Sequence, residues 1–139
     1  MKVLSYFLLL TIFFSCGTKE VQPIKLNTDG CDFCKMTIAD GKFGAELITE
    51  KGRVYKFDDM HCMINYQKDN ASTKVKNFYI HDFNQDNVLI SAENAFYVKG
   101  GDINSPMHGN IIAVKTKDEA DKMATKYNAT PISWQEISK

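Results

Sequence analysis

Excess charge, a second long apolar run and a second cysteine pair are all missing from this chain. Its 17 Lys+Arg balance 17 Asp+Glu over 139 residues, which removes the electrostatic case for a nucleic-acid partner. Beyond residue 14 no apolar stretch approaches the roughly 20 residues that a spanning helix needs. Cys31-x-x-Cys34 has no matching pair elsewhere, whereas structural zinc usually takes four Cys or His ligands in paired spacings. What remains is a chain of the size of one small domain, carrying an unusual concentration of sulfur near its start.

The first residues read as a targeting signal. Lys2 supplies the positive end, residues 3–14 are mostly apolar, and Ser15-Cys16 follows where that run stops. This is the pattern of a lipoprotein signal, with cleavage before Cys16 and lipidation of its thiol. An ordinary secretory signal with Cys16 incidental is the alternative. Removing residues 1–15 leaves 124 residues with 16 basic and 17 acidic side chains, enough for a single compact core or two very small halves. A lipid anchor would hold this chain on the periplasmic side of a bacterial membrane, and Gly17 after Cys16 favours the outer membrane under one sorting rule. Residues 16–30 read as the lipidated cysteine and a polar tether, reaching at most about 45 Å if fully extended.

The rest alternates between strand and helix signals. Residues 43–49 and 53–57 read as strands around the Lys51-Gly52 turn. Asp58 or Asp59 offers a cap, and Met60, Met63 and Ile64 fall at helical spacing, with Cys62 at the edge of the apolar arc and His61 on the polar side. Residues 76–83 form a third strand. A second set follows: strands at 95–99 and 110–115, then Thr116-x-x-Glu119 as a capping box. The next helix carries Ala120, Met123, Ala124 and Tyr127, ends at Asn128, and leads into a last strand around residues 132–137. The prediction is an α+β fold of two ββαβ units, at residues 31–83 and 84–139, with helices packed on antiparallel sheet. The repeat is one of pattern, without appreciable identity between the halves.

Sulfur carries the chemistry. Cys31-x-x-Cys34-x-Met36 places two thiols and a thioether within six residues, and soft donors of this kind suit Cu(I). Three cysteines remain after Cys16, so an exported chain cannot pair them all internally. Met107 lies in a loop, Ser105-Pro106-Met107-His108-Gly109, where core packing explains a methionine poorly. Cys62, Met63 and His108 are weaker candidates. The first two also suit a helix core, and free Cys packs as a small hydrophobe. His61 reads as solvated, His81 as structural and Met123 as core. Disulfide formation between Cys31 and Cys34 is the competing reading of the motif.

These segments resemble the NosL family of copper-binding lipoproteins, accessory factors of nitrous oxide reductase assembly. The resemblance rests on Cys31-x-x-Cys34-x-Met36, Phe57-Asp58-Asp59-Met60-His61-Cys62-Met63, Ala95-Phe96-Tyr97-Val98-Lys99-Gly100 and Ser105-Pro106-Met107-His108-Gly109, in that order, and spans residues 30–128. It implies a double ββαβ fold and a lipid-anchored Cu(I) carrier. Its partner would be nitrous oxide reductase or that enzyme's membrane assembly complex. It implies metal ligation by Cys34 and Met36, with Cys31 beside them and Met107 from the second half. His108 departs from the second glycine common in the family, and either His108 or His61 could modify the donor set. Copper would pass by ligand exchange, without catalysis. Two other functions compete. One is thiol–disulfide exchange through Cys31 and Cys34. The other is an enzyme with a carboxylic acid beside the thiols, for which Asp58 and Asp59 are the local candidates, although both serve better as caps. Homodimerisation and a complex with a membrane transporter stay open.

Overall fold

The computed structural model describes residues 20–139; the expected signal peptide and Cys16 lie outside the described residues. Among the described residues, seven strands form two antiparallel sheets. β1 (Ala45–Thr49), β2 (Val54–Phe57), β3 (Val75–His81) and β4 (Leu89–Ser91) make the first sheet, in the order β2-β1-β3-β4. β5 (Phe96–Lys99), β6 (Ile111–Val114) and β7 (Thr130–Ile132) make the second, in the order β6-β5-β7. Helix α1 (Met60–Asp69) connects β2 to β3, and α2 (Lys117–Tyr127) connects β6 to β7. In each unit the first strand is central and antiparallel to both neighbours. The two strands flanking it, β2 with β3 and β6 with β7, therefore run parallel, and a helix makes the crossover that parallel strands require. The predicted pair of ββαβ units is the fold observed.

Packing follows the two periodicities. Ala45 and Leu47 project from one face of β1, opposite Phe57 and Tyr55 of β2 and Ile80 and Phe78 of β3. Met60, Cys62, Met63 and Ile64 of α1 join them in the first core. Phe43, Val98, Ile103, Ile112, Val114 and Ala120 form the second core, with Met123 packed at its margin. The caps are those the residue types favour. Asp59 caps α1 through His61 N. Thr116 and Glu119 form the capping box of α2, and Asn128 ends that helix in the left-handed conformation, φ 51°. His81 is buried, its Nδ1 accepting from Gly44 N at 3.1 Å. Burial holds its pKa below the usual imidazole range, as its structural role requires.

Three boundaries differ from the sequence reading. Residues 22–30 are not a free tether. Ile24 is buried in the first core, Gln22 N donates to Glu46 Oε1 at 3.0 Å, and Lys56 Nζ meets Asp29 Oδ2 at 2.6 Å. Two apolar residues, Ile24 and Leu26, suffice to pin a segment whose composition is otherwise polar. The first unit also extends past residue 83, because β4 pairs with β3 through Ile90 and Ile80. Three residues are too few for alternation to reveal a strand. The last strand stops at Ile132; Ser133 and Glu136 form a capping box that starts the short helix α3 (Trp134–Ile137).

Candidate metal centre

The Cys31–Cys34 segment is a tight turn clamped against β2. Cys31 N donates to Met36 O at 2.8 Å, and Lys35 N to Cys31 O at 3.0 Å. Lys35 takes a left-handed conformation, φ 67°, that lets the turn reverse. Asp32 secures it from outside: its N–H donates to Lys56 O, and its Oδ2 accepts from Lys56 N, both at 2.8 Å. The turn thereby faces the first residues of α1, whose Cys62 points inward from the helix.

Three sulfur atoms meet there. The Sγ atoms of Cys31, Cys34 and Cys62 lie within 4.8 Å of one another, and all three cysteines are free. Cys31 and Cys62 are buried, and Cys34 is half-buried, forming the open side of the cluster. A soft cation held by such sulfurs needs no oxygen donor.

The three thiols are electrostatically unequal. The Cys62 thiol donates to Cys31 Sγ, which is the main reason that the Cys31 pKa falls to about 5. The backbone N–H groups of Asp58, Cys34 and Phe33 add to that effect, against the opposing cost of burial. Cys62, the donor, is raised by the same hydrogen bond and by burial. Cys34 is raised chiefly by burial. Among the three, Cys31 is thus the sulfur that ionises most readily, while Cys34 and Cys62 are held toward the neutral thiol. Asp58 is buried beside it, and desolvation, followed by the Cys31 charge, lifts its carboxyl to about 6.

The other candidates lie at different depths. Met36 is 49 % exposed, on the solvent side of the turn, with its N–H toward Cys34 Sγ. Met63 is fully buried within the first core. Met107 is half-buried against that core, and its loop is held by Asp59. One carboxylate does this work. Asp59 Oδ1 caps α1 at His61 N (2.9 Å), while Oδ2 accepts from Ser105 Oγ (2.5 Å), Met107 N (3.0 Å) and Gly109 N (3.4 Å). A Cβ on Gly109 would collide with that carboxylate, so the loop can sit this close only with glycine there. His108 is exposed, with φ 58°.

The structure thus brings Cys62, a weaker candidate in the sequence, into the same cluster as Cys31 and Cys34. Its helical position looked like core, and core it also is; the odd cysteine count left open either a free thiol or a set of thiol ligands. Asp59 was legible as a cap, but its grip on the Met107 loop, 46 to 50 residues away in sequence, was not.

Paired ββαβ units with a three-thiol cluster between a turn and a helix N-terminus define a class: small α+β proteins with a soft-metal centre. The NosL family model matches residues 23–139, and the chain belongs to the NosL family. The copper-binding lipoprotein NosL of Stutzerimonas stutzeri is 26% identical over 137 residues, covering 88% of this chain and 72% of that protein. The crystal structure of the copper chaperone NosL from Shewanella denitrificans superposes with a TM-score of 0.75 at 24% identity. It covers 87% of this chain and 97% of that one, a likeness of fold.

Proposed function

We propose that this protein is a membrane-anchored Cu(I) chaperone that receives copper outside the cytoplasm and hands it to nitrous oxide reductase or another extracytoplasmic copper protein. The observation that carries the reading is the cluster of three sulfurs within 4.8 Å of one another, in which hydrogen bonding lowers the Cys31 pKa. Cu(I) entering it displaces the protons of Cys34 and Cys62, the thiols whose pKa values are raised. Cys34 and the exposed Met36 are the accessible donors, and Met107, packed against the first core from the second unit, is the further thioether this reading assigns. A partner's sulfur or imidazole enters beside the accessible donors, and copper leaves by exchange of ligands. Anchoring through Cys16 rests on the signal pattern and on the lipoprotein named among the relatives. Thiol–disulfide exchange fits the electrostatics less well. Cys31, the sulfur that ionises most readily, is buried, while the accessible Cys34 has a raised pKa; exchange needs the attacking sulfur to be both ionised and accessible.

The test is an anaerobic Cu(I) titration of the reduced protein against a strong chelator, beside Met36→Ala and Met107→Ala. One tightly held copper per chain, weakened at least tenfold (about 1.4 kcal/mol) by either substitution, supports the reading. Binding no tighter than that of an exposed dithiol, and indifferent to both, overturns it.

A further inference from the structure

The three-thiol centre has a charge count that Cu(I) leaves unbalanced. Its ligating atoms are the sulfurs of Cys31, Cys34 and Cys62, all within 4.8 Å of one another, so a single atom placed among them reaches all three. Among the described residues no histidine or carboxylate joins that group. Cys31 and Cys62 belong to the first core, and only Cys34 is partly open. No lysine or arginine is among the groups that shift the three thiols, and Asp58, buried beside Cys31, is an acid. Three thiolates around a monovalent cation keep two net negative charges, and buried charge without a partner is costly. That residue of charge suits a carrier that has to release its copper. A trivalent atom bound by the same three sulfurs leaves no net charge.

We propose that the cluster of Cys31, Cys34 and Cys62 is also a capture site for a trivalent metalloid, with arsenous acid as the representative ligand. One neutral As(OH)3 condenses with the three thiols. Three As–O and three S–H bonds break, three S–As and three O–H bonds form, and three waters leave. Arsenic stays trivalent, no electron changes hands, and the product is neutral. Cys34, on the open side, is where the ligand arrives, and the buried Cys31 and Cys62 complete the set. A trivalent atom satisfied by three sulfurs needs no fourth donor, so Met36 and Met107 take no part. An occupied centre has no thiol left for copper, so the metalloid blocks the copper site. The proposal shares its sulfurs with the copper reading above but not its thioethers, so the two can fail separately.

The experiment titrates the reduced, metal-free full chain with sodium arsenite and reads it by native intact-mass spectrometry and thermal unfolding. Cys16→Ser is the common background, so that the three thiols of the centre are the only ones. The expected adduct is one arsenic per chain with the loss of three hydrogens, which counts three S–As bonds; an adduct on two sulfurs would keep a hydroxyl on arsenic. Bound arsenic should raise the thermal midpoint, since the folded state alone gathers the three sulfurs. Cys34→Ser, at a half-buried position, should hold arsenite at least tenfold more weakly and only as the hydroxyl-bearing adduct. Met36→Ala and Met107→Ala should bind arsenite as the parent does, although the copper reading expects each to lose Cu(I) affinity. Arsenite added first should abolish tight Cu(I) binding. A hydroxyl-bearing adduct in the parent, undiminished binding in Cys34→Ser, or unimpeded Cu(I) uptake by the arsenic-loaded chain overturns the proposal. If three sulfurs hold arsenic while the Cu(I) titration fails, the copper reading falls and the metalloid site stands.

Discussion

Cys62 has two separable roles, and two substitutions part them. Its thiol is the leading cause of the low Cys31 pKa, and its sulfur is one of the three within 4.8 Å. Cys62→Ala deletes both roles; Cys62→Ser keeps an O–H donor and deletes the soft ligand. In the alanine variant Cys31 loses its strongest hydrogen bond while its burial cost stays. Its pKa should climb from about 5 by at least one unit, worth about 1.4 kcal/mol per unit. In the serine variant it should stay close to the wild-type value. Thiolate absorbance near 240 nm, followed against pH in the metal-free protein, reads this directly. Cu(I) affinity should fall at least tenfold in both variants, since serine oxygen is a poor partner for a soft cation. Equal pKa values in wild type and Cys62→Ala would refute the hydrogen-bond account. Undiminished affinity in Cys62→Ser would remove Cys62 from the ligand set. The same shift has a consequence for stability. A thiol acid depressed from 9.0 to about 5 in the folded state contributes stability that is present above the unfolded value and lost as pH falls toward 5. Cys62→Ala should therefore flatten the rise in stability between pH 5 and 9.

Other expectations concern the scaffold. Glu46 is fully buried on β1, one oxygen accepting from Gln22 N and the other without a partner, and desolvation raises its pKa from 4.5 to about 7. A raised carboxyl costs stability above its folded pKa and costs nothing below its unfolded one. Glu46→Gln should stabilise by on the order of 1–2 kcal/mol at pH 8 and hardly at all at pH 4, by urea unfolding; an equal gain at both pH values would contradict the assignment. Gly109→Ala should destabilise by about 1–3 kcal/mol, because the added methyl meets the Asp59 carboxylate. It should also weaken copper binding at the second half if Met107 is a ligand. A thermal midpoint unchanged by that methyl would argue against the close approach. Asp59→Ala removes the α1 cap and three loop contacts. It should cost more than the roughly 1 kcal/mol of a cap alone, measured by chemical denaturation.

The sequence by itself determined the repeated element order, because each signal behind it is local. Apolar residues at helical spacing placed α1 and α2, Thr116 with Glu119 started α2, and Asn128 ended it. It also marked the sulfur-rich turn and gave the family resemblance, since those motifs are short and contiguous. It read residues 16–30 as lipidated cysteine and tether, because the two packed apolar side chains at Ile24 and Leu26 are lost in a polar composition. Only the tertiary structure decided that Cys62 faces Cys31 and Cys34, since a cysteine on an apolar helical arc packs equally well with or without a sulfur partner. Only the tertiary structure joined Asp59 to the Met107 loop, because a cap's second oxygen leaves no trace in local pattern. The ionisation of the centre belongs to the same level. The Cys31 pKa is lowered because a neighbouring thiol and convergent N–H groups outweigh the cost of burial, and spacing along a chain encodes none of these.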